Sequence, residues 1–233
     1  MVDLTHEMAA LWASLGPGRP DRGRVIQFIS ATSGEGTSTV AREFARLAAV
    51  RARKPVWLVD ADLNNQTQLG LIAQDAERFG SLGRWANASP NGSAFFTVQP
   101  GLRGRDGRPI ADARLLLARP CLGRRLWITH FRADVLRAGQ RAVALPRGAY
   151  WDAMRRHAET VIIDTAAADR SDFGLVLAPF ADAVVLVVAA GAADASMGAG
   201  LRDELESAGA RCAGLVFNRA EVEPPSFLRR VMG

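Results

Sequence analysis

Lysine is almost missing from this chain. Of its 29 basic residues only Lys54 is a lysine, and the others are arginines. No second lysine could therefore be lent to an anion site from elsewhere in the chain. Tyrosine is nearly missing too, Tyr150 being the single one. The two cysteines, Cys121 and Cys212, lie far apart and without metal-ligand spacing. That excludes a disulfide framework and a cysteine zinc site, and leaves two reduced thiols. Long apolar runs are absent: the longest, residues 181–193, is too short to span a bilayer. The first residues lack the basic stretch and apolar core of a secretory signal, since His6-Glu7 falls where that core belongs. The expectation is a soluble cytoplasmic protein without internal repeats.

What is present is a core-forming chain. Its 233 residues are 48% apolar, enough for one α/β domain with a modest insertion. The net charge is +5. Arginines crowd residues 103–147, but Asp106, Asp112 and Asp134 interrupt them and stacking aromatics are not interleaved. This stretch reads as a solvated or partner-facing surface, not a nucleic-acid groove.

Residues 3–15 carry Leu4, Met8, Leu11, Trp12 and Leu15 on one helical face, and Gly16-Pro17-Gly18-Arg19-Pro20 ends that helix as a linker. Residues 1–20 are thus expected to be an N-terminal helix and linker, with residues 21–233 a single nucleotide-type domain. Short apolar runs at 25–30, 56–60, 160–164, 183–188 and 212–217 alternate with helical patterns at 40–50, 150–157, 171–178 and 195–208. This alternation predicts an α/β fold with a doubly wound, mostly parallel sheet covered by helices on both faces. Residues 80–145 are less regular. A β-like run at 94–98, a helix at 111–118 and a strand at 126–131 are expected within an insertion or irregular crossover.

The chemistry concentrates at the carboxyl ends of the strands, where folds of this kind bind ligands. After the first strand comes Ser33-Gly34-Glu35-Gly36-Thr37-Ser38-Thr39, a glycine-rich turn opening a helix. Such a turn aims backbone N–H groups at phosphate. Gly34, Glu35, Gly36, Thr37, Ser38 and Thr39 are the candidate phosphate contacts, and the Ser38 hydroxyl is a candidate magnesium ligand. Yet Thr37 occupies the place of the loop lysine. Asp60 and Asp62 end the second strand, Asp164 ends the strand at 160–164, and Asn218 ends the last. Carboxylates so placed hold magnesium or orient a nucleophile, which makes Ser38, Asp60 and Asp164 the candidate metal set. Taken singly, each also has a plainer reading: a tight turn, a helix cap, or a turn residue.

Together these segments resemble the motifs of bacterial tyrosine kinases, P-loop proteins of exopolysaccharide export related to MinD and ParA. The chain is most similar there to the short HfsB-like members encoded with export machinery. The resemblance runs over residues 25–71 and 160–219. It implies that Gly34, Gly36 and the Thr37 backbone cradle phosphates and that Ser38 binds magnesium. It further implies that Asp60 and Asp62 activate a tyrosine hydroxyl, that Asp164 is the Walker B carboxylate, and that Asn218 bonds adenine. The departures are equally specific. Thr37 replaces lysine, and Asn64 stands where the kinases carry arginine. Ala10 and Ala13 replace both arginines of the assembly motif begun by Glu7, and the C-terminal tyrosine cluster is absent. Tyr150 beside Trp151 reads as a packing residue. The expectation is a catalytically impaired, kinase-like protein with no cofactor, or with weakly bound Mg-ATP or ADP. It would dock on a Wzz-like membrane polysaccharide co-polymerase or another export component and reach the inner membrane through that partner. Self-association is open, and nucleic acid is not expected. The alternatives are an active tyrosine kinase or ATPase with an altered Walker A loop, in which Arg170 stands in for lysine, and a MinD- or ParA-like positioning ATPase.

Overall fold

The computed structural model describes residues 4–19, 21–104, 106–190 and 195–219. In chain order its elements are α1 (Thr5–Ser14), β1 (Arg24–Ile29), α2 (Thr37–Arg51), β2 (Val56–Asp60), α3 (Gln68–Gln74), α4 (Ala76–Phe79), β3 (Ala86–Asn87), β4 (Phe96–Gln99), β5 (Leu116–Cys121), β6 (Leu126–Phe131), β7 (Arg141–Ala144), α5 (Ala149–His157), β8 (Thr160–Asp164), α6 (Phe173–Leu177), β9 (Ala183–Ala189), α7 (Ala195–Ser207) and β10 (Cys212–Asn218).

Eight strands form one sheet in the order β10-β9-β1-β8-β2-β6-β5-β3. The pairs from β10 through β6 are parallel, and β5 and β3 join antiparallel. This is the mostly parallel α/β sheet that the alternation predicts. The central strands are largely apolar and almost wholly buried because their side chains, up or down, meet a helical layer. Along β1, Ile26 and Phe28 enter the core beneath α1 and α2, while Val25 enters the core on the other side, with α5 and α6. Ile29 joins Leu201 and Leu205 of α7.

One expectation changes. Residues 111–118 are not a helix: a 3-10 turn at Asp112–Leu115 leads straight into β5. There, Leu116 and Ala118 point into the core and Leu117 and Arg119 point out, a period of two that the arginines and the proline of this segment obscured. Residues 80–145, expected as an insertion or irregular crossover, contribute β3, β5 and β6 to the large sheet, while β4 and β7 form a separate two-stranded sheet. Tyr150 is fully buried against Phe95 and Trp151, and its hydroxyl donates to the Ala88 carbonyl at 3.3 Å. No helix among the described residues is long and apolar enough to cross a membrane.

The N-terminal helix is not a free arm. Met8 is 1% exposed, the Trp12 ring lies 5.7 Å from that of Phe44 on α2, and the Arg24 guanidinium sits over Trp12 at 4.2 Å. Met8→Ala leaves a hole beneath α2, and a loss of about 2–4 kcal/mol in unfolding free energy is expected by denaturant titration. An unchanged midpoint would mean that α1 does not pack as described.

Candidate functional site

At the carboxyl pole of the sheet the loop after β1 wraps the start of α2. Gly36 is the hinge. Its φ of +89° is a left-handed conformation, and a Cβ there would lie 2.0 Å from Asn218 Nδ2. Glycine is required on both counts. The same Asn218 nitrogen donates to the Glu35 carbonyl at 2.8 Å. The residue expected to meet adenine thus also clamps the phosphate loop to the end of β10. A second clamp comes from Asp169, whose carboxylate accepts from the Ser33 N–H and hydroxyl, both at 2.9 Å.

The loop encloses an open pocket of about 300 Å³ lined by Ser33 through Thr39, Asp62, Thr67, Arg170 and Arg219 among others. Thr37 and Ser38, which line it, open a 15-residue helix with backbone N–H groups that have no intrahelical acceptor. Of the predicted site residues, Gly34, Glu35, Gly36, Thr37, Ser38, Thr39 and Asp62 line this pocket, whereas Asp60 and Asp164 lie behind it, 2% and 1% exposed. Thr37, in the lysine's place, is 6% exposed, and its hydroxyl has no hydrogen-bond partner. Lys54 precedes β2 while the pocket follows it, a separation of roughly 20 Å along an extended chain, far beyond a lysine's reach. The cations lining the pocket, among the described residues, are Arg170 and Arg219. Arg170 is already engaged by the Asp62 carboxylate.

Parallel register sets Asp60 of β2 directly beside Asp164 of β8. Gln68, fully buried at the start of α3, ties the two together. Its backbone N–H and that of Thr67 donate to Asp60 Oδ2 at 3.1 Å, while its side-chain nitrogen donates to Asp164 Oδ2 at 2.6 Å and to the Ser38 carbonyl at 2.8 Å. Asp60 therefore caps α3, the plainer reading of a strand-ending aspartate. Asp164 Oδ1 is buried without a partner. Sequence reasoning passed over Gln68 and Asp169, since an amide in a helix start and an aspartate in a turn carry no motif.

Burial pushes both carboxyls up. Asp60 rises well above the ordinary range through desolvation and then the neighbouring Asp164 charge. Asp164 rises to about 6 through desolvation, against hydrogen bonds from Gln68 and Ser38 that pull it down. The orphan oxygen of Asp164, with the Ser38 hydroxyl beside it, fits a magnesium ion carried in on a phosphate. Among the described residues no three acidic, histidine or cysteine side chains are grouped to hold a metal by themselves.

A carboxyl whose pKa is higher folded than unfolded stabilises the fold while protonated. That contribution is complete below the unfolded value and is lost as pH rises through about 6 for Asp164. Melting in the absence of nucleotide and magnesium is expected at a higher temperature at pH 5 than at pH 7.5. Asp164→Asn should shrink that difference, with Asp60 keeping its own share, and should melt above the parent at pH 7.5. A parallel shift of both proteins with pH would refute the assignment.

No protein-family model matches the chain, and no curated protein does. Solved structures do. The kinase domain of VpsO is 17% identical with a TM-score of 0.59, over 94% of this chain and 95% of that one. The kinase domain of the Escherichia coli tyrosine kinase Etk is 16% identical with a TM-score of 0.58, over 94% of this chain and 78% of that one. A nucleotide-binding protein of Archaeoglobus fulgidus, solved with ADP, is 20% identical with a TM-score of 0.54, over 87% of this chain and 69% of that one. The chain thus has the P-loop α/β fold that bacterial tyrosine kinase domains share with other nucleotide-binding proteins.

Proposed function

We propose that this chain is a bacterial tyrosine kinase-like protein of exopolysaccharide export in which the phosphate pocket persists and phosphoryl transfer is impaired, so that it works as an adaptor on a membrane polysaccharide co-polymerase. The observation that carries this reading is Thr37: a buried, uncharged side chain stands where the transferred phosphate needs a cation. A charge-assisted contact of that kind contributes about 1.5–3 kcal/mol to binding. Its loss weakens affinity by roughly ten- to a hundredfold, and weakens transfer more, because charge grows at the phosphate in the transition state. The acidic pair adds support. Asp60 is held by the start of α3 and Asp62 by Arg170, so neither is free to take a proton from a substrate hydroxyl. Tyr150, fully buried, offers no site for self-phosphorylation.

Bound in this pocket, Mg-ATP would supply a phosphoryl group. Gly34, Gly36 and the first turn of α2 would hold its phosphates, and Ser38 the magnesium. A second reading, an active ATPase or kinase with an altered loop, has one observation in its favour: Arg170 and Arg219 line the pocket and bring cationic charge from other loops.

Calorimetry with Mg-ATP separates the two. The adaptor reading expects binding no tighter than the millimolar range. Thr37→Lys should tighten it by about ten- to a hundredfold, and polymer output in cells carrying Ser38→Ala should equal that of the parent. Turnover that disappears in Ser38→Ala, together with lost output, would establish the second reading instead. Asp62→Asn frees Arg170 and is expected to strengthen nucleotide binding. Weaker binding in this variant would show that Arg170 needs Asp62 to hold it in place.

A further inference from the structure

The pole opposite the phosphate pocket, where the strands begin, holds two adjoining cavities of about 390 and 420 Å³ that share Gly18, Arg19, Arg22, Gly23 and Arg24. Arg211 completes the first, and Arg53 and Lys54 the second. The lone lysine of the chain therefore belongs to this basin. The acids in its walls are already bound. Asp182 accepts from Arg22, Arg155 and the Val25 N–H, and Glu159 accepts from the backbone N–H groups of Arg53 and Lys54. Among the described residues no carboxylate pairs with Arg24, Arg53, Lys54 or Arg211.

Arg24 is the unusual member. It is 9% exposed, its Nη1 donates to the Gly16 carbonyl at 2.8 Å, and its Cζ lies 4.2 Å from the centre of the Trp12 ring. Its Nη2 has no partner. A buried guanidinium nitrogen left without an acceptor is costly, and an incoming carboxylate would relieve that cost through a charge-assisted bond. Burial also draws the Arg24 pKa down, against the pull of Glu159 and Asp182. Around this recessed cation the exposed Arg53, Lys54 and Arg211 form a rim.

We infer that this basin docks an acidic peptide segment of a protein partner, with one carboxylate reaching Arg24 and its neighbours meeting the rim. A bilayer is flat and would not reach a recessed guanidinium. Two joined cavities with spaced cations suit an extended chain carrying several carboxylates. This inference does not rest on the adaptor reading, because the basin and the phosphate pocket lie at opposite ends of the sheet.

The test is fluorescence anisotropy of a labelled hexaglutamate peptide with the full chain. Saturable binding that weakens with salt is expected. The double variant Arg53→Glu, Lys54→Glu should lose about tenfold or more in affinity, and Arg24→Gln should lose more than either single rim change. Because Arg24→Gln could fail to fold, the exposed pair alone is decisive. Arg137→Glu with Arg141→Glu, in the arginine-rich stretch elsewhere, should keep binding within about twofold. The proposal is overturned if the peptide does not bind or if the Arg137, Arg141 pair loses as much. It is also overturned if phosphatidylglycerol vesicles or inorganic phosphate bind with the same dependence on Arg53 and Lys54.

Discussion

Two carboxyl groups placed side by side in the dry interior of a sheet set the terms for everything around them. Parallel pairing puts Asp60 and Asp164 at the same level of adjacent strands, and among the described residues neither forms an ion pair with a cation. Proteins manage such a pair by protonating it, by surrounding it with donors, or by presenting it to a metal. Here Gln68 and the first N–H groups of α3 supply the donors, which anchors α3 across the carboxyl ends of β2 and β8 and closes the back of the phosphate pocket. An amide can satisfy two neighbours at once, so one residue links the loop, the sheet and the helix.

Most of the fold was readable from the sequence. Where strands are largely apolar on both sides and lie between helical segments, the pattern and the structure agree closely, as at residues 56–60 and 160–164. It failed where burial was one-sided. The strand at Leu116–Cys121 alternates core and surface residues, and its outward Arg119 reaches the Gly83 carbonyl at 2.8 Å. A run that mixes leucine, alanine and arginine matches a helix about as well as a half-buried strand until its pairing partner is known.

The site divided along a different line. Residues whose role depends on backbone shape were legible, because a glycine-rich turn between strand and helix leaves a sequence signature. Residues whose role depends on what lies across the sheet were not. Nothing near Gln68 in the chain reveals that it will touch Asp164 or Ser38, and nothing near Asp169 reveals that it will hold Ser33. Arg170 lay between these cases. Its position after an aspartate-ending strand suggested the pocket, but its engagement by Asp62 became visible only with both loops in place.

The bond from Asn218 to Glu35 ties the pocket to the outermost strand. β10 is the edge of the sheet, and it shows Leu215 and Phe217 to solvent at 43% and 67% exposure. A border strand is the part of a sheet most easily peeled or extended by another chain. Because Gly36 packs directly beneath Asn218, tugging that border would slacken the turn that shapes the anion cradle. The rim of the molecule is, in mechanical terms, a lever on its centre.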